Sequence, residues 1–206
     1  MEFVVIDVET ANRHCGSICQ VGVATFRNGC LSGVWGTLVD PEDSFSPTNM
    51  AIHGIRARHV THAPNWAEVQ RELRPRLEHR ILASHTCFDL RAMESANERY
   101  GLSKLSWADW IDTCKVARTA WPCLSSYKLP LLARAFGISY QAHDATEDAR
   151  CAGEVLLKAV HATGLALRDF SRKQTQPNSG SPPRRPRSQP SRKLIRSARI
   201  PARGRT

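Results

Sequence analysis

The stretch Phe3–Asn12, FVVIDVETAN, is an apolar strand that ends on two carboxylates. Side chains alternate along an extended chain, so Asp7 and Glu9 share one face while Val4, Ile6 and Val8 share the other. Like charges held about 7 Å apart on one face repel unless something positive lies between them, and a hard divalent cation is the natural candidate. Out of context the same two acids are solvated edge residues. The rest of the chain decides between these readings.

Ser17–Phe26 and Leu31–Val39 read as two further strands, and Asn28-Gly29 between them supplies the positive φ angles of a tight hairpin. Residues 41–64 read as loop. In Trp66–His79 the spacing of Val69, Leu73 and Leu77 predicts a helix that Pro75 bends or shortens. Arg80–Ser84 reads as a short buried strand. Helical patterns follow at Leu90–Tyr100, Thr113–Trp121 and Leu129–Phe136, with a strand at Trp107–Ile111, and Ala145–Ala162 is the last helix. Three strands followed by alternating helix and strand predict an α/β fold, a mixed sheet with helices packed on it. Sites in such sheets gather at the carboxyl ends of the strands. Asp7 and Glu9 lie at the end of the first strand, and Asp89 follows the fourth.

With 206 residues, 41% hydrophobic and 7% aromatic, the chain can bury one sizeable core. Its charge is divided unevenly. Residues 171–206 hold 11 of the 29 Lys and Arg and no acid, so the remaining 18 bases nearly balance the 19 acids. The excess positive charge therefore sits in a Ser-, Pro- and Arg-rich tail, too poor in large apolar residues to fold alone and suited to a polyanion. We draw the boundary as a folded domain over 1–165 and a disordered basic tail over 166–206. The 7 cysteines are scattered with no Cys-x-x-Cys pair, which favours a reducing, cytoplasmic home, and no apolar run reaches the ~18 residues of a membrane span.

The stretch from Ala142, AHDATEDARCAGEVLL, adds the missing members. Asp144 fits the N-cap of the last helix and Glu147 its capping-box partner. That leaves His143 just before the cap and Asp148 at the fourth helical position, two places whose side chains meet across a helix start. In order along the chain the pieces are Asp-x-Glu closing a first strand, Phe-Asp after a later strand, and His-x-x-x-x-Asp opening the last helix. This pattern resembles the DEDDh branch of the DnaQ-like exonucleases, the family of the DNA polymerase III epsilon subunit. AIHGI (Ala51–Ile55) and WIDT (Trp110–Thr113) fall where that family carries similar text, and the likeness covers residues 1 to about 165.

The resemblance implies an RNase H-like sheet, a three-stranded meander plus parallel strands, flanked by helices. It implies a metal-dependent 3′–5′ exonuclease that releases nucleoside 5′-monophosphates, with DNA favoured. The alternatives are an RNA-trimming enzyme, or a catalytically weak accessory subunit that binds nucleic acid beside a polymerase. Carried over by motif, Asp7, Glu9, Asp89 and Asp148 would hold two Mg²⁺ or Mn²⁺ ions, and His143 would serve as general base, a role for which an ordinary histidine pKa near about 6.5 is suited. Thr10, His53, His85 and Phe88 are the implied substrate contacts, Phe88 either as a wedge against a terminal base or as core packing. The implied partner is nucleic acid with a single-stranded 3′ end. The tail would contact phosphates or tether a polymerase.

Two departures from the family pattern stand out. Many members read His-Asn-x-x-Phe-Asp before the third acid, where this chain reads SHTCFD, so Ser84 takes the place of the His and His85 that of the Asn. After Glu9 the chain continues Thr10-Ala11-Asn12 in place of Thr-Thr-Gly. The tryptophans Trp66, Trp107, Trp110 and Trp121 are read as packing residues, and Asp112 as an N-cap.

Overall fold

A computed structural model describes residues 1–175, with side chains through 171; the basic stretch from 176 on, and with it the expected tether, lies outside the described residues. The chain opens with β1 (Glu2–Thr10), β2 (Ile18–Arg27) and β3 (Cys30–Leu38). These are antiparallel neighbours, as the meander predicts, and Asn28 and Gly29 both take positive φ in the turn between β2 and β3. Then come α1 (Pro47–His53), α2 (Ala57–Val60), α3 (Trp66–Leu77), β4 (Ile81–Ser84), α4 (Phe88–Arg99), β5 (Asp109–Asp112), α5 (Thr113–Ala120), α6 (Leu129–Phe136), α7 (Ala145–Thr163) and α8 (Leu167–Thr175). The sheet order is β3-β2-β1-β4-β5, with β4 parallel to both β1 and β5. It is the expected mixed sheet flanked by helices.

The alternation along β1 divides the core between the two sheet faces. Phe3 and Val5, with Phe26 and Ile111, pack against α5, α6, α7 and α8 through Val116, Leu132, Val155 and Phe170. Val4, Ile6 and Val8 face the other way, onto Trp66, Leu73 and Leu77 of α3 and Met93 of α4. Asp7 and Glu9 continue the Phe3–Val5 face, so they emerge beneath the N-terminal end of α7.

Two expectations are corrected. The segment read as loop over 41–64 contains α1 and α2. Ser46 caps α1 by accepting from the Asn49 N–H, Pro47 starts it, and Gly54 ends it in the left-handed conformation. At 7 and 4 residues the two helices are too short to show an apolar period. The domain boundary drawn at 165 also falls short: α8 carries the fold on, because Leu167 and Phe170, three apart on one helix face, are buried in the core.

Candidate active site

Each acidic side chain reaches the same place by a different local device. β4 pairs with β1 only at Val4 and Val5, so the β4 side of β1 is open beyond that point. Asp89, in the first turn of α4, fills the opening by accepting the Val8 N–H at 3.1 Å. Asp148 is the fourth residue of α7, whose start is seated on the sheet. Asp144 caps it by accepting from the Thr146 and Glu147 N–H groups at 3.0 and 3.1 Å. Gln20, opposite Glu9 in β2, clamps that cap: its Nε2 donates to Asp144 and its Oε1 accepts the Ala145 N–H. Glu147 does not complete a capping box; its carboxylate pairs with Arg150 at 2.7 Å.

Two glycines make this seat possible. A Cβ on Gly22, which lies opposite Asp7, would stand 2.1 Å from the backbone carbonyl of Ala145, and one on Gly36 would stand 2.3 Å from the Thr146 hydroxyl. Only bare backbone lets the first turn of α7 approach β2 and β3 this closely.

His143 precedes the cap in the left-handed conformation, φ 65, a costly place for a residue with a Cβ. That turn aims its backbone N–H at the Asp148 carboxylate, 2.7 Å away. The ring stays half exposed, with Nδ1 3.9 Å from the Glu9 carboxylate. One donor atom from each of Glu9, His143 and Asp148 falls within 4.8 Å of the others.

Asp7, Glu9, Asp89, His143 and Asp148 line one cavity of about 240 Å³, with Val8, His85, Thr86, Phe88, Leu129 and Pro130 completing its walls. Burial, then the neighbouring carboxylates Asp89, Asp148 and Glu9, raise the proton affinity of Asp7 far above the carboxylate range. Burial, then Asp148, Asp89 and Asp144, lift Glu9 to about 8. Burial lifts Asp89 to about 7 against the bond from Val8, and lifts Asp148 to about 6 against the bond from His143. Everything acting on Asp7 and Glu9 pushes toward the neutral form. Four oxygen-donor side chains crowded in this way fit hard divalent cations, whose charge removes the repulsion that opposes ionisation.

The implied substrate contacts separate into two groups. His85 and Phe88 line the cavity; Thr10 and His53 do not. His53 Nε2 donates to the Thr10 carbonyl at 3.1 Å, its Nδ1 accepts the Ile55 N–H at 3.0 Å, and Asn49 donates to the same Thr10 carbonyl. His53 thus braces the end of β1. His85 is pinned too, its Nε2 donating to the Tyr127 carbonyl and its Nδ1 paired with the Thr113 hydroxyl, both at 2.9 Å. Ser84, standing at the family's histidine, is buried; its hydroxyl donates to the Thr86 carbonyl and accepts the Trp110 indole N–H. Phe88 is 38% exposed at the cavity rim, so the core-packing alternative is overturned.

Sequence reasoning passed over Gln20, Gly22, Gly36 and Tyr140. The hydroxyl of Tyr140 is buried with no hydrogen-bond partner among the described residues, and it faces Asp148 closely enough to offset part of the rise that burial imposes there. The Gln-Val-Gly triplet inside an otherwise apolar strand was a visible signal: a polar residue and a glycine where packing alone would place neither.

Residues 4–156 match the RNase_T family model, described as exonuclease. The chain belongs to this exonuclease family. It is 27% identical over 165 residues to the 3′-5′ exonuclease DinG of Staphylococcus haemolyticus, and equally so to DinG of Staphylococcus aureus. These alignments take in 76% of this chain and 18% of the relative, so the chain spans under a fifth of the length of the curated relatives it matches. Among solved structures, exonuclease X in complex with 5′ overhanging duplex DNA superposes with a TM-score of 0.68 at 22% identity, covering 82% of this chain and 98% of that one. The nuclease domain of 3′hExo, a DEDDh family member bound to rAMP, gives 0.68 at 16%, covering 79% and 92%. The zinc-bound E. coli ExoI–ssDNA complex gives 0.70 at 18%, covering 79% and 41%. At these identities the superpositions establish the exonuclease fold.

Proposed function

We propose that this exonuclease-family chain hydrolyses the terminal phosphodiester bond of a nucleic acid from its 3′ end, releasing nucleoside 5′-monophosphates. The observation that carries the reading is the convergence of Asp7, Glu9, Asp89, Asp148 and His143 on one small cavity at the carboxyl end of β1. The four carboxylates would hold two Mg²⁺ or Mn²⁺ ions. Bound there, such ions supply charge neutralisation on the attacking and leaving oxygens of an in-line displacement.

The protein's own groups have separate tasks. Val8 and His143 hold Asp89 and Asp148 by their backbone N–H groups, which fixes the two carboxylates before any ligand arrives. The exposed imidazole of His143 accepts the proton of the attacking water, and His143 can lose its ring without losing its grip on Asp148. Phe88 offers an apolar rim against which a terminal base can lie.

DNA is the favoured substrate, on the likeness to exonuclease X and ExoI, both solved with DNA, and RNA is the alternative, on the likeness to 3′hExo, solved with rAMP. The test is digestion of 5′-labelled single-stranded DNA, duplex DNA and RNA of one sequence, each with Mg²⁺, with Mn²⁺ and with EDTA. Ladders shortened one nucleotide at a time from the 3′ end, with metal only, are expected. Internal cuts first, or shortening that persists in EDTA, would contradict the reading.

A further inference from the structure

The catalytic cavity opens sideways into a larger groove of about 790 Å³ between the end of α5 and the start of α6. Five residues line both spaces: His85, Thr86, Leu129, Pro130 and His143. Beyond them the groove is walled by Cys114, Arg118 and Leu124–Lys128. Its charges are of one sign. The four acids stay in the cavity, whereas the groove presents Arg118 and Lys128 and no carboxylate. Both cations are exposed, and neither makes an ion pair among the described residues. Arg118 is nonetheless ordered, its guanidinium lying over the Tyr127 ring at 4.4 Å. The Tyr127 hydroxyl is tied in turn to the Trp121 carbonyl at 2.7 Å, and the Tyr127 carbonyl takes the His85 N–H. The groove wall is therefore braced against the catalytic cavity itself.

A second groove of about 510 Å³, lined by Asn12, Arg13, His14, Ser44, Ser46, Thr48 and Asn49, shares no residue with the catalytic cavity. A strand whose end is being cut must occupy a channel continuous with the reacting bond, and only the α5–α6 groove meets that requirement among these two. We propose that this groove holds the single strand immediately upstream of the bond being cut, with Arg118 and Lys128 on its phosphates. The proposal rests on the exonuclease reading given above and adds the path of the strand. Contacts of this kind carry affinity and register without sequence preference, and they serve DNA and RNA alike.

Two measurements on the full chain test it, one of which needs no turnover. Pentanucleotides carrying 4-thiothymidine (DNA) or 4-thiouridine (RNA) next to the 3′-terminal nucleotide are photo-crosslinked in EDTA, and the adducts are mapped by mass spectrometry. Adducts within residues 114–130 are expected; adducts confined to residues 12–14 and 44–49, or to the basic tail, would overturn the proposal. In the second, Arg118→Ala/Lys128→Ala is compared with wild type and with Arg118→Lys/Lys128→Arg on those pentanucleotides and on the p-nitrophenyl ester of thymidine 5′-monophosphate, which reaches only the catalytic cavity. The expected result is a KM for pentanucleotides raised about tenfold, recovered by the charge-preserving pair, with ester turnover unchanged. Unchanged KM would overturn the groove assignment. Crosslinks at 114–130 in a protein that hydrolyses neither substrate would leave the strand path standing and remove the exonuclease reading instead.

Discussion

His143 holds Asp148 with its backbone, not with its ring: the N–H donates to the carboxylate at 2.7 Å, while the imidazole turns toward Glu9, 3.9 Å away. The peptide bond can therefore position an acid while the side chain remains available to a proton. His143→Ala keeps the N–H and removes the ring. We expect turnover to fall roughly 10²- to 10⁴-fold, the usual worth of a positioned general base, with Mn²⁺ affinity close to wild type by calorimetry. Near-normal turnover would assign the base to another group, and loss of Mn²⁺ binding would make His143 a ligand.

The crowded acids also predict how stability depends on pH. Folding raises Glu9 to about 8, Asp89 to about 7 and Asp148 to about 6, with Asp7 raised as well. At these four acids the folded state thus binds more protons than the unfolded one between about pH 4 and pH 8. In that window these acids cost the metal-free protein stability as pH rises. Asp43 and Glu147, whose proton affinities are lowered, act below the window, and His53 and His85, whose affinities burial also lowers, oppose the trend only below about pH 6.5. Urea midpoints in EDTA should be lower at pH 8.5 than at pH 5, and saturating Mn²⁺ should recover the difference at pH 8.5. A flat EDTA profile would show that the acids do not repel one another as described.

Gly22 offers a purely steric test. In Gly22→Ala the new methyl meets the Ala145 backbone, which has no rotamer in which to yield, so the start of α7 must lift off β2. We expect about 1–3 kcal/mol of destabilisation. Turnover should fall more than stability alone explains, because Asp148 and His143 ride on the displaced turn; misplacement by about 1 Å can cost ~10²-fold. Gly33→Ala, whose methyl meets nothing within 4 Å, is the control and should leave activity intact.

Much of this was legible in the sequence where a local pattern decides the outcome. Asn28-Gly29 set the hairpin, strict alternation put Asp7 and Glu9 on one face, and the Asp144 cap fixed the register that brings Asp148 inward. The five acid and histidine positions do share a cavity. What escaped depends on contacts between distant segments. Thr10 and His53 are joined outside the cavity lining, a relation between residues 43 apart that no local period encodes. Helix α8 exists because Phe170 finds a core to enter, and the need for glycine at 22 and 36 is visible only once α7 lies across β2 and β3.

Tyr140 illustrates the same point and gives a prediction of its own. Tyr140→Phe keeps the ring that packs on the core and removes only the buried hydroxyl facing Asp148. Fold and Tm should survive. Mn²⁺ affinity at pH 7 should drop about tenfold, the lower range for loss of a group that orients a metal-holding side chain, and the drop should shrink at higher pH as Asp148 ionises without help. Equal affinities at both pH values would leave Tyr140 a packing residue alone.

The central claim is that Asp7 and its neighbours form a metal-dependent hydrolytic site, and Mn²⁺ calorimetry on wild type and Asp7→Ala, with turnover of a 5′-labelled oligonucleotide followed on the same preparations, tests it most directly. Asp7 is acted on by all three other carboxylates. Wild type should bind two ions and shorten the oligonucleotide. Asp7→Ala should remain folded, bind Mn²⁺ more weakly and show no measurable turnover. Unchanged Mn²⁺ affinity together with full activity in Asp7→Ala would contradict the account.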